Sequence, residues 1–274
     1  MTAVRGSILI LTLWVLIILA LLSAGISYRA SGDIRISRYE SSNLKGLYLA
    51  KAGILKILAD ISKDTNSYDS LNEGWNRDEA RPNELKFGDS AVFYGASDEE
   101  SRLNLNSSNL KKENLIRLGI QDELSQAVID YKLKKQDKGF EFMEELFLID
   151  GMTREIYSSM ESDVTIYRGT EPKVNINTAG ENTLRSIIGD EILAGKVLEY
   201  RRGEDDLEGT EDDGIFKADS DISVIEGLNP ALFNVKSNSF RAWSASSSTE
   251  DKKIIKKITA VADRDSRIFY WRED

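Results

Sequence analysis

From Gly6 to Tyr28 the chain carries no charged side chain, and the stretch GSILILTLWVLIILALLSAGISY is apolar almost throughout. At about 1.5 Å of rise per residue, a helix over it covers the roughly 30 Å hydrocarbon core of a bilayer. This sets compartment and topology before any other feature is read. Arg5 lies on the amino-terminal side of the run and Arg29 follows it. The positive-inside rule then puts the amino terminus in the cytoplasm and everything from Arg29 onward across the membrane, as a single-pass protein of the inner membrane with a periplasmic C-terminal part. Ile8, Leu11, Trp14, Leu19 and Leu22 are the expected membrane residues.

Three kinds of segment share this pattern. A cleaved secretory signal has a basic start and an apolar centre, and Leu22-Ser23-Ala24 would offer its peptidase a small-residue site. An uncleaved signal anchor needs only the apolar run. The third kind accounts for Gly6 as well: a short basic leader, 1–6, closes on glycine immediately before the apolar run rather than after it. That register resembles the class III signal of type IV pilins and pseudopilins, in which the prepilin peptidase cuts after the glycine. The resemblance implies processing between Gly6 and Ser7, with Ser7 as the new amino terminus. Pilins usually carry Glu at the fifth mature position, where a costly intramembrane carboxylate is tolerated because it pairs with the amino terminus of a neighbouring subunit. Here that position is Leu11, which cannot make the pair. In the pseudopilin family the member without this Glu is the large minor pseudopilin K of type II secretion, so the resemblance narrows to that family.

Composition removes several function classes. The 274 residues suffice for one large or two medium domains. With no Cys and no His there is no disulfide framework, thiol nucleophile, Ser-His-Asp triad, or zinc or haem site built from those ligands. A formal charge of −10 disfavours nucleic acid and anionic membrane surfaces as main partners.

Beyond the membrane the helical pattern continues. Leu44, Leu47, Tyr48, Ile54, Leu55, Leu58 and Ile61 recur at three- and four-residue steps, with Lys45, Lys56 and Lys63 on the opposite side. Lys51 falls inside the apolar stripe, where a snorkelling stem is the first expectation and an acidic partner the second. A membrane span that continues as a soluble amphipathic half is what a pilin's long first helix requires.

The polar stretch Thr65 to Lys86 reads as loop, and Ser90-Ala91-Val92-Phe93-Tyr94 as a strand. Then comes Asp98-Glu99-Glu100-Ser101-Arg102-Leu103-Asn104-Leu105-Asn106, which resembles the DE-x-x-(K/R)-hydrophobic-N-hydrophobic-N segment of pseudopilin K sequences. Its end is echoed by Lys173-Val174-Asn175-Ile176-Asn177, and each copy is followed by the same order of elements. The first runs through helices near Leu110 to Leu118 and Asp122 to Lys134, then Phe140 to Leu146; the second through Glu181 to Ile188 and Glu191 to Arg201, then Ile215-Phe216 and Ile222 to Leu228. This is a duplicated, mostly helical unit.

The unit also resembles the helix-hairpin-helix of competence-type DNA-binding proteins, through Val174-Asn175-Ile176-Asn177-Thr178-Ala179 and Leu198-Glu199-Tyr200-Arg201. A membrane-anchored DNA-binding protein of an uptake system is therefore the alternative. Phosphate binding requires a glycine-rich hairpin whose backbone N–H groups approach the phosphate, with basic residues nearby. Here the turn is Ile187-Ile188-Gly189-Asp190-Glu191, whose carboxylates repel phosphate, so structural reuse of the unit is favoured.

Glu204, Asp205, Asp206, Glu208, Glu211, Asp212 and Asp213 crowd one short segment among Gly203, Gly209 and Gly214. Unpaired, so dense a cluster repels itself, whereas calcium takes six to eight oxygens from a flexible loop of carboxylates and carbonyls. A solvated acidic loop is the bland alternative. The pseudopilin K resemblance implies bound calcium in this helical region.

The last residues alternate: Ser239 to Ala245, Ile254 to Val261 and Arg267 to Arg272 read as three antiparallel strands. With the strand near Val92 they form a sheet for the first helix to pack on. The expected fold is α+β: leader 1–6, membrane part 7–28, a pilin-like domain in two pieces, 29–102 and 236–274, and an inserted helical domain over 103–235. The resemblance implies a non-enzymatic minor pseudopilin that starts or caps the periplasmic pseudopilus. Its partners are other minor pseudopilins, the prepilin peptidase and the inner membrane, with no nucleic acid and no small-molecule substrate.

Overall fold

The computed structural model describes residues 4–168, 171–248 and 253–274. It opens with α1 (Val4–Lys63), 60 residues long and free of proline. Along the chain follow β1 (Asn83–Phe87), β2 (Ser90–Asp98), β3 (Leu103–Asn104), α2 (Lys112–Arg117), α3 (Asp122–Lys134), α4 (Arg154–Met160), β4 (Val164–Thr165), β5 (Val174–Asn175), α5 (Glu181–Ile188), α6 (Glu191–Arg202), β6 (Phe233–Asn234), β7 (Ser239–Ser248), β8 (Ile254–Asp263) and β9 (Ile268–Glu273).

One five-stranded sheet in the order β1-β2-β7-β8-β9 draws on both ends of this sequence, and every neighbouring pair in it is antiparallel. Among the described residues between Leu103 and Asn234, the elements are short helices and two-residue strands joined by turns and loops. The seam closes where β2 pairs with β7 over Ser90↔Ser248 to Asp98↔Phe240. The carboxyl half of α1 lies across this sheet and buries Ala50, Ile54, Ile57, Leu58 and Ile61 against Val92, Tyr94, Ala96, Phe240, Ala242, Ile258, Ala260 and Ala262. Alanines on the sheet side let the helix come close. Closest is Gly53, where an added Cβ would sit 2.1 Å from Ser244 Oγ and 2.8 Å from Val92 Cγ1, so any side chain there would push helix and sheet apart.

Three sequence expectations change. Of the α1 stripe, Leu44, Tyr48 and Leu55 point away from the sheet and are exposed, because the buried face follows Ala50, Ile54, Ile57 and Ile61 instead. Lys51 has the acidic partner: its Nζ lies 3.2 Å from Glu273 and over the ring of Trp271. Part of the polar stretch before Lys86 is strand β1, an edge strand exposed along most of its length, which explains why it shows no apolar alternation.

The helical part holds two further apolar cores. One gathers Leu103, Leu105, Leu115, Leu124, Val128, Leu146 and Met160; the other Val174, Ile176, Leu184, Val197, Phe216, Ile222 and Phe233. Each is closed by a parallel two-residue pairing, β3 with β4 and β5 with β6.

Candidate functional site

The duplication is visible atom by atom. Asn106 Oδ1 accepts the N–H of Phe140 at 2.7 Å while its Nδ2 donates to the Phe140 carbonyl at 2.9 Å; Asn177 holds Phe216 in the same way, at 2.9 and 2.8 Å. One residue pair earlier, Asn104 Oδ1 accepts the N–H of Asn106 and Asn175 Oδ1 that of Asn177, both at 3.0 Å. Tyr131 stacks on Phe140 as Tyr200 packs on Phe216. Lys132 donates to the Ser107 carbonyl, and Arg201, almost fully buried, donates to the carbonyls of Ile176 and Ala179. Each asparagine thus clamps a buried backbone that has no ladder partner, which is why the motif spaces them two apart.

The hairpin between α5 and α6 is capped from within. Asp190 turns its own carboxylate onto the N–H groups of Ile192 and Leu193, at 2.9 and 3.1 Å, where a phosphate oxygen would otherwise sit. The guanidinium of Arg117 packs against Gly189 from the first unit and donates to the Ser186 carbonyl.

Asp98, Glu99 and Glu100 form the seam between sheet and helical part, and all three are buried. Glu99 takes Arg241 of β7 at 2.7 Å and the Thr165 hydroxyl at 2.6 Å; Glu100 takes Arg168 at 3.1 Å, Asn234 Nδ2 at 2.8 Å and the Asn238 N–H at 3.0 Å. The acidic motif is therefore a joint, reaching strands and turns from both parts of the fold.

The acidic loop after α6 is built partly by its own carboxylates. Asp212 Oδ2 accepts the N–H groups of Glu204 and Asp205 at 2.7 and 3.1 Å, and Asp213 those of Gly209 and Thr210 at 2.7 and 3.2 Å. The Thr210 hydroxyl and the Glu204 N–H hold the Asp212 carboxyl below the usual carboxylate range. Gly203, at φ +61°, lets the Asp212 backbone close over it; an added Cβ would lie 2.5 Å from the Asp212 carbonyl oxygen. Asp205 accepts the Leu207 N–H, Glu208 pairs with buried Arg201 at 2.9 Å, exposed Asp206 lies 3.7 Å from Arg202, and Glu211 is exposed. Its side chains offer oxygen donors alone, the chemistry of a hard cation rather than of zinc, but among the described residues no three of these carboxylates bring their oxygens within 4.8 Å of one another. The loop also touches the segment after α1: Asn72 Nδ2 donates to the Thr210 carbonyl at 3.3 Å.

Among the described residues, three carboxylates that do converge within 4.8 Å were not visible in the sequence: Asp64, Asp69 and Glu73. Arg264 already lies 3.3 Å from Asp64 and 2.7 Å from Asp69, so a guanidinium occupies the place of the cation. Glu73 is pushed upward by burial and accepts from Trp75 Nε1 and Asn66 Nδ2.

At the other end of the molecule, Ile8, Leu11, Trp14, Leu19 and Leu22 are exposed on a helix long and apolar enough to cross a membrane. Gly6 and Ser7 lie in the first turns of α1, and Met1 lies outside the described residues.

No family model matches the sequence, and no curated protein matches it. Among solved structures, the chain is similar to a chain of the crystal structure of the GspK-GspI-GspJ complex from the type 2 secretion system of enterotoxigenic Escherichia coli. The TM-score is 0.64 at 12% identity, over 87% of this chain and 99% of that one. At that identity the likeness shows the fold alone, the α+β arrangement of a long first helix on an antiparallel sheet with the helical part set between its strands.

Proposed function

We propose that the chain is a non-enzymatic minor pseudopilin of a type II secretion system, held in the inner membrane by α1 and placed at the tip of the periplasmic pseudopilus. One observation carries this: a sheet assembled from both sides of a duplicated helical insertion, packed on the second half of a helix whose first half is apolar and bare. A helix of that kind requires lipid around its first half and neighbouring subunits around its second. Leu44, Tyr48 and Leu55, exposed on one side of α1, supply an apolar stripe for partner helices of other minor pseudopilins. Leu11 leaves the subunit without the carboxylate that would neutralise a neighbour's amino terminus, which suits a first subunit better than an internal one. The DNA-uptake alternative loses support from Asp190, which occupies the amides a phosphate needs.

The test is amino-terminal sequencing of the protein extracted from membranes that contain the prepilin peptidase. The mature chain is expected to begin at Ser7, and replacing Gly6 with a bulky residue is expected to leave it at Met1. A start at Gly25, after Ala24, would mark a secretory signal and overturn the proposal.

Calcium belongs to the same proposal. Asp212 and Asp213 are engaged by loop amides, Asp205 by the Leu207 N–H and Glu208 by Arg201, so an ion would draw first on the exposed carboxylates of Glu204, Asp206 and Glu211 and on the remaining oxygen of Asp205. The full chain in detergent is expected to melt higher in millimolar calcium than in chelator, because a ligand a thousandfold above its Kd stabilises the native state by about 4 kcal/mol. Asp205→Asn with Asp206→Asn should reduce that difference while keeping the loop scaffold. Identical melting curves, with no heat of calcium uptake, would reduce the cluster to a solvated loop.

A further inference from the structure

Four carboxylates sit almost without exposure where the sheet meets the helical part: Asp69, Asp98, Glu99 and Glu100. Three have an arginine: Arg264 on Asp69 at 2.7 Å, Arg241 on Glu99 at 2.7 Å and Arg168 on Glu100 at 3.1 Å. Asp98 differs. Among the described residues its hydrogen-bond donors are all neutral: the Glu100 N–H at 2.7 Å on Oδ1, and Asn175 Nδ2 at 2.8 Å, Thr178 Oγ1 at 2.5 Å and Ser237 Oγ at 2.6 Å on Oδ2. These donors come from the turn after β2, from β5 and the turn behind it, and from the link into β7, so one carboxyl ties three segments together.

The charged groups around it offer no relief. Glu99 and Glu100 follow it in the chain, and Asp69 approaches from the loop after α1. The cations nearby are Arg264 from the turn before β9, Arg241 from β7, Arg168 after β4, Arg102 just before β3, and Lys236 beside Asp69; each of the four arginines is already committed to another acid, Arg102 lying 3.9 Å from Glu99. Ionised, Asp98 keeps its four neutral donors but has no cation of its own to offset the charge, in a low-dielectric seam beside a second carboxylate. Protonated, it carries no charge into the seam, and its O–H can donate to the Thr178 or Ser237 hydroxyl, which rotates to accept it.

We propose that Asp98 is a proton-linked latch between the sheet and the inserted helical part, tight when its carboxyl is protonated and loosened when it ionises. Burial, and then the charge of Glu100, push the carboxyl up to about 7. Because the folded value is raised above the ordinary 3.8, the contact is strongest at low pH and weakens as pH rises between about 4 and 7, levelling off above. The chain has no histidine, so no imidazole titrates in that range. Docking of the helical part would then follow the pH of the compartment it faces.

Hydrogen exchange of the full chain in detergent tests this at the amides of Leu103 to Asn106 and Val174 to Asn177, corrected for the intrinsic pH dependence of exchange. One proton released near pH 7 raises the opening constant about tenfold between pH 6 and pH 8. Asp98→Asn is expected to abolish that rise. Glu100→Gln, which removes the neighbouring charge and keeps a polar side chain toward Arg168, is expected to move the midpoint to lower pH and shrink the rise. An opening constant in the unaltered protein that is flat over this range, or a tenfold rise that persists in Asp98→Asn, would overturn the latch.

Discussion

Replacing Arg264 with alanine is expected to cost about 3–5 kcal/mol, the usual penalty for leaving a buried charge without its partner. Arg264 gives Nη2 to both oxygens of Asp69, at 2.7 and 2.8 Å, reaches Asp64 at 3.3 Å, and donates to the carbonyls of Ile61 and Ser237. It also covers the ring of Phe240 at 5.0 Å. One side chain therefore fastens the last turn of α1, the following loop and the link into β7. Asp69 is fully buried, and after the substitution its carboxylate keeps the Ser237 N–H at 2.6 Å but no cation of comparable reach. Burial already pushes Asp69 upward against the pull of Arg264, so losing the guanidinium raises it further. A raised carboxylate stabilises the fold below its unfolded value and loses that contribution as pH rises, so the deficit should be larger at pH 7.5 than at pH 5. Thermal melting of the full chain in detergent, at both pH values, measures it. A loss under about 1 kcal/mol would mean that the three-way fastening is not what holds α1 to the sheet.

The sequence made the architecture legible because its strongest signals are periodic. The uncharged run before Arg29, the helical spacing of Ile54, Leu58 and Ile61, and the alternation in the last strands each reflect one dominant environment, lipid or a single core. Repetition did the rest: the two asparagine pairs lie at matching places in two copies, and each forms the same backbone clamp. What escaped was whatever depends on a partner far along the chain. Tyr48 and Leu55 fit the apolar spacing as well as Ile54 does, and only the direction of the sheet decides which side of α1 is covered. Lys51 meets Glu273, and Asp69 meets Arg264, across nearly the full length of the sequence.

The acidic residues illustrate the same limit at the site level. The dense cluster after α6 stands out by composition, yet Asp212 and Asp213 prove to be acceptors for the loop's own amides. The Asp98-Glu99-Glu100 run reads as a family motif, but nothing in its order says that two of the acids have arginines and one does not. Charge density is visible in a sequence; charge compensation belongs to the tertiary structure.

Asn177→Ala should be nearly as damaging as the loss of Arg264, at about 3 kcal/mol, although no charge is involved. Asn177 is buried and is both acceptor and donor to Phe216, whose ring is fully buried in the second helical core. Truncation strands one N–H and one C=O where water does not replace the amide, and each such group costs about 1–3 kcal/mol. Asn177→Asp is the sharper variant: it keeps the shape and the acceptor but turns the donor into an oxygen facing the Phe216 carbonyl, so it should be no better than alanine. Asn106→Ala, acting on Phe140 in the first unit, should cost a similar amount, and since the two clamps share no partner the double variant should lose close to the sum. Denaturant unfolding followed by tryptophan fluorescence reads all four. If Asn177→Asp retains the stability of the unaltered chain, the amide donor is dispensable, and the spacing of the repeated asparagines needs another physical cause.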